Sequence, residues 1–498
     1  LLIFNYTGHG GESGLASEQI VRQNEDIKQW QNDNYPLFVT ATCDFARFDK
    51  GQGVTAGEDV LLNPHGGGIA LLTTNRLVYS APNFVLNQQF YNVAFEKNED
   101  NPAFRLGDIT KETKNRSGID INKLNFALLG DPALSLDIPQ YKVITDSINH
   151  KPLNLADTLK AYSSVSIQGH VENEIGIPIS NYNGTVVPIL YDKLREVTTL
   201  ANDGGTPFQF DLQDKVLFKG KATVKNGSFS FNFMLPRDMD YNYGFGRISY
   251  YASDSSADAT GFYDKVVTGG LSTNVSLDSI GPRIRLFMND TTFINGGITD
   301  AYPTLLARVY DEHGINPGGN GIGHDILATL DNDPTQVYVL NSYFQADIDN
   351  YKQGSVTFKF PQLSQGSHTL TFKVWDIFNN SAQAELSFNV RGENSPCIQR
   401  IYNYPNPFSN NTNIFFEHNQ AGDDLDITVE IFGLAGNKIR EIKTKMFSTG
   451  YTSEPIVWDG TDENGNKISG GIYIYRIILR SLNGTTISSS QKMVVIQH

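Results

Sequence analysis

Two apolar runs constrain this chain more than anything else in it. The first, Leu1-Leu2-Ile3-Phe4-Asn5-Tyr6, stops on Thr7-Gly8-His9-Gly10. The second, Leu37-Phe38-Val39-Thr40-Ala41-Thr42, stops on Cys43-Asp44. Both have strand length and end in turn residues, the pattern of strands buried in a parallel sheet. In an open parallel sheet, chemistry gathers outside the carboxyl ends of the strands. One strand ending on an imidazole and another on a thiol is how a Cys–His nucleophile pair is built.

Residues 1–140 read as alternating strand and helix. Ser17 can cap a helix running to about Gln31, with Ile20, Ile27 and Trp30 on one face. A polar loop from Asp49 to His65 leads into a third strand, Ile69 to Thr73. Ser80 with Pro82 starts a helix through Phe84, Phe90 and Phe95, and a shorter helix surrounds Leu106–Lys114. A fourth strand, Phe126 to Leu129, closes on Gly130-Asp131-Pro132. Right-handed crossovers make all four strands parallel.

Near Ile138-Pro139 the period changes to two. Phe229, Phe231 and Phe233 alternate with Ser230 and Asn232, after an Asn226-Gly227 hairpin signal. The expectation is an α/β domain over 1–140, a β-sandwich over 141–279, an Ig-like sandwich over 280–393 with a polar joint at Arg391 to Pro396, and a last β-sandwich over 394–498.

The charge balance, 39 Lys+Arg against 54 Asp+Glu, leaves no basic surface for a phosphate backbone and excludes nucleic acid as a partner. Cys43 and Cys397 are the only cysteines, which is no disulfide framework. No apolar run approaches the roughly 18 residues of a membrane-spanning helix. The chain opens on Leu1, inside a strand that needs neighbours, so the N-terminal part of the protein, with its export signal, is expected upstream.

A free cysteine is ordinarily a buried structural thiol. Cys43 departs from that expectation because it ends its strand and is followed at once by charged Asp44. His65 is a rival base to His9, but it precedes the third strand. It therefore lies at the opposite sheet edge from Cys43, roughly 17–20 Å away. The backbone N–H groups of Gly10 and Cys43 are the natural oxyanion donors. Glu12, Asp44 and Glu58 are candidates for a third, orienting acid; none stands out, and its source is left to the upstream part. His313 and His324, flanked by acids, and the run Asp459, Asp462, Asn464 and Asn466 read as sandwich loops and a hairpin turn. No cofactor is required, no metal ligand is assigned, and structural calcium is assigned no position.

Tyr6-Thr7-Gly8-His9-Gly10, followed by Thr40-Ala41-Thr42-Cys43-Asp44 and closed by Leu128-Leu129-Gly130-Asp131-Pro132, resembles the gingipain family of cysteine peptidases, family C25 of clan CD. The resemblance implies a caspase-like fold over residues 1–140, with His9 as base, Cys43 as nucleophile, and the Gly10 and Cys43 amides as oxyanion hole. It places the third acid and part of the specificity pocket before the His9 strand. Tyr404-Pro405-Asn406-Pro407-Phe408, with Val457-Trp458-Asp459-Gly460 and Gly470-Gly471-Ile472-Tyr473, resembles a type IX secretion C-terminal sorting domain. The order of domains is similar to that of the cell-surface sortases of that system.

That similarity implies an enzyme on the outer face of the outer membrane of a Bacteroidota-type bacterium, not itself transmembrane. Its substrates would be cargo proteins carrying C-terminal sorting domains, and its partner a β-barrel of the PorV kind. Two other roles stay open: a secreted digestive peptidase that is itself cargo, and a surface adhesin or scaffold with an inactive peptidase module.

Overall fold

The structure is a computed structural model. It describes all residues except 1, 33, 52, 97–104, 203, 274–277, 320–322, 392–396, 421, 449, 481–483 and 497–498. The chain divides into two compact units, Leu1–Ile138 and Pro139–His498.

The first unit is built on a four-stranded sheet. Its strands are β1 (Ile3–Thr7), β5 (Leu37–Ala41), β6 (Ala70–Thr74) and β7 (Phe126–Leu129), side by side in that order. Strand alternation sorts the side chains onto two faces. Leu37, Val39, Ala41, Ala70 and Leu72 meet Leu86, Phe90 and Val93 of α2 (Ser80–Ala94) and Leu106 and Ile109 of α3 (Leu106–Arg116). Phe38 and Leu71 face the other way, onto Leu15, Ile27, Phe45 and Val60. Both faces are covered along β5 and β6, which are buried at every position.

β1, β5 and β6 are parallel, with Thr7 opposite Ala41 and Leu37 opposite Ala70. β7 is not: it runs antiparallel to β6, with Thr74 opposite Phe126. The expectation of four parallel strands is corrected here. A single crossover helix returns the chain to the starting edge of a sheet. Here α2 and α3 pack together as a pair, so the chain comes back to the edge it left, and Asn75 N–H bonds Asn125 O at 3.0 Å.

The helix expected from Ser17 to Gln31 is absent. Gly10–Gly11, Gly14–Leu15 and Val21–Arg22 (β2, β3 and β4) form a small three-stranded sheet, and Ile27–Gln29 forms one 3-10 turn. Ala16 and Gln19 take positive φ (63° and 55°), which no α-helix allows. Conversely, the loop expected from Asp49 to His65 contains α1 (Ala56–Leu62). A capping box starts it, with Glu58 Oε2 accepting from Thr55 N at 2.8 Å.

The second unit holds three apolar cores. Around the first, residues 141–271 form one ten-stranded sheet and a separate two-stranded ribbon (Arg195–Thr198 with Gln209–Leu212) rather than the two facing sheets of a sandwich. Asp258–Leu271 pairs both Gly244–Ser253 and, in parallel, Tyr141–Ile148, so the sheet closes on itself. Asn226 and Gly227 both take positive φ, 51° and 77°, making the anticipated hairpin turn, and Phe229, Phe231 and Phe233 all point inward.

The second core lies between a four-stranded and a five-stranded sheet spanning Arg283–Val390. The third lies between a three-stranded and a four-stranded sheet spanning Ile398–Val495, around Trp458, Tyr475 and Phe416. Asp462 Oδ1 accepts from the N–H groups of Asn464 and Asn466, so that acidic run is a turn. All but the first residue of the joint expected at Arg391 to Pro396 lies outside the described residues. No helix among the described residues is long and apolar enough to cross a membrane.

Candidate active site

The pairing of β1 with β5 positions both predicted side chains. Thr7 and Ala41 are register partners, and the ladder continues in a bond from Gly8 N to Ala41 O at 3.3 Å. His9 and Cys43 each follow two residues beyond that matched pair. They therefore emerge from adjacent parallel strands at the same sheet edge, where period-two alternation gives them the same parity. His65 sits at the other edge, near the start of β6, where its carbonyl accepts from Asn32 N at 3.1 Å.

His9 is exposed and Cys43 half-buried. Tyr6 Oη donates to His9 O at 2.6 Å and pins the backbone under the imidazole. Cys43 packs against the α2 face of the core, and its Sγ donates to Val78 O at 3.5 Å. No hydrogen bond joins His9 to Cys43 among the described residues. Catalytic hydrogen bonds in unliganded sites are commonly loose and tighten on binding.

Gly10 lies close against the strand that carries the thiol. A Cβ there would meet Thr42 Oγ1 at 2.5 Å and Gly14 O at 3.1 Å, so only glycine fits. The two backbone stretches proposed as oxyanion donors are thus neighbours. Asp44 takes φ 49°, turning the chain sharply beyond the thiol, and its N–H bonds Arg76 O at 3.3 Å.

Two candidate acids are engaged elsewhere. Glu12 pairs with Lys50 and, at 3.4 Å, with Arg47. The Lys50 hydrogen bond holds its carboxyl below the usual carboxylate range. Glu58 is committed to the α1 capping box. An open groove of about 540 Å³ begins at His9 and runs over Gly10, Gly11, Ser13, Arg22 and Glu25.

The sequence reading missed a set of buried polar groups beneath the site. Asn83 and Asn122 are 4 % and 2 % exposed. Asn87 bonds both Asn5 and Thr7, tying α2 to β1. Thr42 is fully buried and its Oγ1 has no hydrogen-bond partner. The signal was there in part, since Asn83 and Asn87 stand four apart on one face of the helix.

In the second unit, His313 Nδ1 bonds Asp278 at 2.8 Å and His324 Nδ1 bonds Asp238 at 3.2 Å, so the two histidines have different partners. Among the described residues, Asp278, Asp311 and His313 are the one trio whose ligating atoms lie within 4.8 Å of one another. Its carboxylates already accept from His313 and from the backbone N–H groups of His313, Gly314 and Ile280.

Residues 1–137 match the family model of peptidase family C25. That match covers the first unit almost end to end. The chain is similar to dimeric latent PorU from Porphyromonas gingivalis, with 32 % identity over 81 % of this chain and 39 % of that one, at a TM-score of 0.34. It is also similar to the complex of Porphyromonas gingivalis RgpB pro- and mature domains, with 15 % identity over 52 % of this chain and 54 % of that one, at a TM-score of 0.26. The chain thus spans well under two thirds of the length of either relative. No curated protein matches it.

Proposed function

We propose that this chain carries the nucleophile and base of a cell-surface cysteine endopeptidase of the sortase kind, on a caspase-like sheet followed by Ig-like β-domains. One observation supports it above the rest: the Thr7–Ala41 register, which brings His9 and Cys43 to the ends of adjacent parallel strands. The C25 match over residues 1–137 supports the reaction class.

In this reading His9 takes the Cys43 thiol proton, and the thiolate attacks the peptide carbonyl carbon. The N–H groups of Gly10 and Cys43 receive the developing oxyanion. The C–N bond then breaks, His9 passes the proton to the leaving amine, and a thioester remains on Cys43. Water resolves the thioester, or an amine of anionic lipopolysaccharide does so by transpeptidation.

The substrates are exported proteins with C-terminal sorting domains. The motifs at 404–408 and 470–473 support a type IX setting, in which the 394–498 domain is retained at the outer face of the outer membrane with a PorV-like β-barrel partner. The chemistry needs no cofactor.

Replacing Cys43 by Ala is the test. Cells carrying the Cys43→Ala protein should accumulate cargo with its sorting domain attached. Normal cargo processing in that strain would sink the proposal. Digestion of arbitrary unfolded protein by the purified enzyme, with loss of its own 394–498 domain, would point instead to a digestive peptidase that is itself cargo.

A further inference from the structure

Behind Cys43 four hydrogen bonds run in series and return to the same strand end, so that the covalent chain through Thr42 closes them into a ring. The thiol donates to Val78 O at 3.5 Å. That carbonyl belongs to the Val78–Tyr79 peptide, whose N–H donates to Asn122 Oδ1 at 2.8 Å. Asn122 Nδ2 donates to Asn83 Oδ1 at 2.9 Å. Asn83 Nδ2 donates to Ala41 O at 3.2 Å, two residues before the thiol. The same Ala41 oxygen accepts from Gly8 N, the residue before His9, at 3.3 Å.

Three features set this ring apart from ordinary core satisfaction. Both side-chain amides are almost wholly buried, where an unmatched amide would be costly. Every donor points the same way round, from sulfur to Val78, Asn122, Asn83 and Ala41, so each bond polarises the next. The ring also joins the two strand ends that carry His9 and Cys43 to the first turn of α2, through a single carbonyl.

We propose that Asn83 and Asn122 are positioning residues for Cys43. They fix the Val78–Tyr79 peptide, and through it the place of the thiol. Through Ala41 O they also hold Gly8, and with it His9, in register. The thiol is therefore held in one place beside the strand end that carries it, ready for His9 to take its proton. This rests on the reading of Cys43 as nucleophile.

The experiment uses the full chain and measures iodoacetamide alkylation of Cys43 against pH, by mass spectrometry of the Cys43 peptide. The same protein supplies an internal control in Cys397. In Asn83→Leu and Asn122→Leu the alkylation midpoint for Cys43 should move by about half a pH unit or more, because the thiol is no longer held on Val78 O. Cys397 should react at the wild-type rate. Peptidase kcat should drop about tenfold with KM within about twofold, the mark of a misplaced reacting group.

An unmoved Cys43 midpoint with unchanged kcat in folded variants overturns the proposal. If both thiols become faster, the leucine variants have opened. The pair Asn83→Ser and Asn122→Ser, which leaves room for bridging water, then takes their place under the same two readouts. Alkylation does not depend on catalysis, so the two readings fail separately. An active Cys43→Ala protein sinks the peptidase reading alone, and an unmoved midpoint sinks the ring alone.

Discussion

At the scale of single residues, the site depends on small groups packed without slack. Gly10 is the clearest case, because an added methyl would press on Thr42 Oγ1 at 2.5 Å and on Gly14 O at 3.1 Å. Gly10→Ala should lower kcat/KM about a hundredfold by displacing the His9 loop, since a shift of about 1 Å at a reacting group costs that much. Thr42→Ala removes the closer obstacle, so the double variant should recover part of the loss; a steady-state comparison of the four proteins checks this. A second residue-scale effect lies in the last core. His418 is fully buried, with Nδ1 accepting from Gln420 N at 3.2 Å and Nε2 against Ser448 Oγ at 3.1 Å. Burial pushes its pKa down to about 4. Below the ordinary His value near 6.5 the unfolded chain takes up a proton that the folded chain refuses, so stability is lost as pH falls from about 6.5 to 4. The loss should be about 3 kcal/mol relative to His418→Gln, read as hydrogen-exchange protection of the 398–495 strands at pH 7 and pH 4.

At the scale of elements, local signals settled some segments and were overruled in others. The run Ser80 to Ala94 forms the expected helix, but its N-cap is Tyr79 with no side-chain cap bond, Phe84 is 65 % exposed, and Leu86, Phe90 and Val93 face the core instead. The 17–31 stretch has helical spacing but not helical backbone, because Gln19 within it and Ala16 just before it take the left-handed region and break it into hairpin and turn. Its neighbour α1 was concealed by polar residues that turn out to be its cap. Thr55→Ala removes that cap and releases Glu58, and should destabilise the first unit by about 1–2 kcal/mol, measured by urea unfolding. The motif Gly130-Asp131-Pro132 also has an element-level role. Pro132 O and Leu134 O accept from Gly107 N and Leu106 N, so the segment after β7 satisfies the first N–H groups of α3.

At the scale of the whole molecule, the chain is two compact units, and the second has three cores that share no buried residue. Trp458→Ala empties the centre of the last core, where truncating a buried aromatic costs about 3–5 kcal/mol. Strands within 398–495 should lose exchange protection while those within 283–390 keep theirs; simultaneous loss would mean that the two cores unfold together.

Local pattern alone placed the four long strands of the first unit to within a residue or two, and with them the two side chains that stand at the ends of the first two. Those properties depend on residues close together in the chain. Tertiary structure decided the direction of β7, because that depends on how two helices pack. It decided the closure of the 141–271 sheet, because that depends on a pairing between Tyr141 and Ala259. It also decided what stands behind the thiol. Asn83 and Asn122 lie 39 positions apart, and no period in the chain announces that their amides meet beneath Cys43.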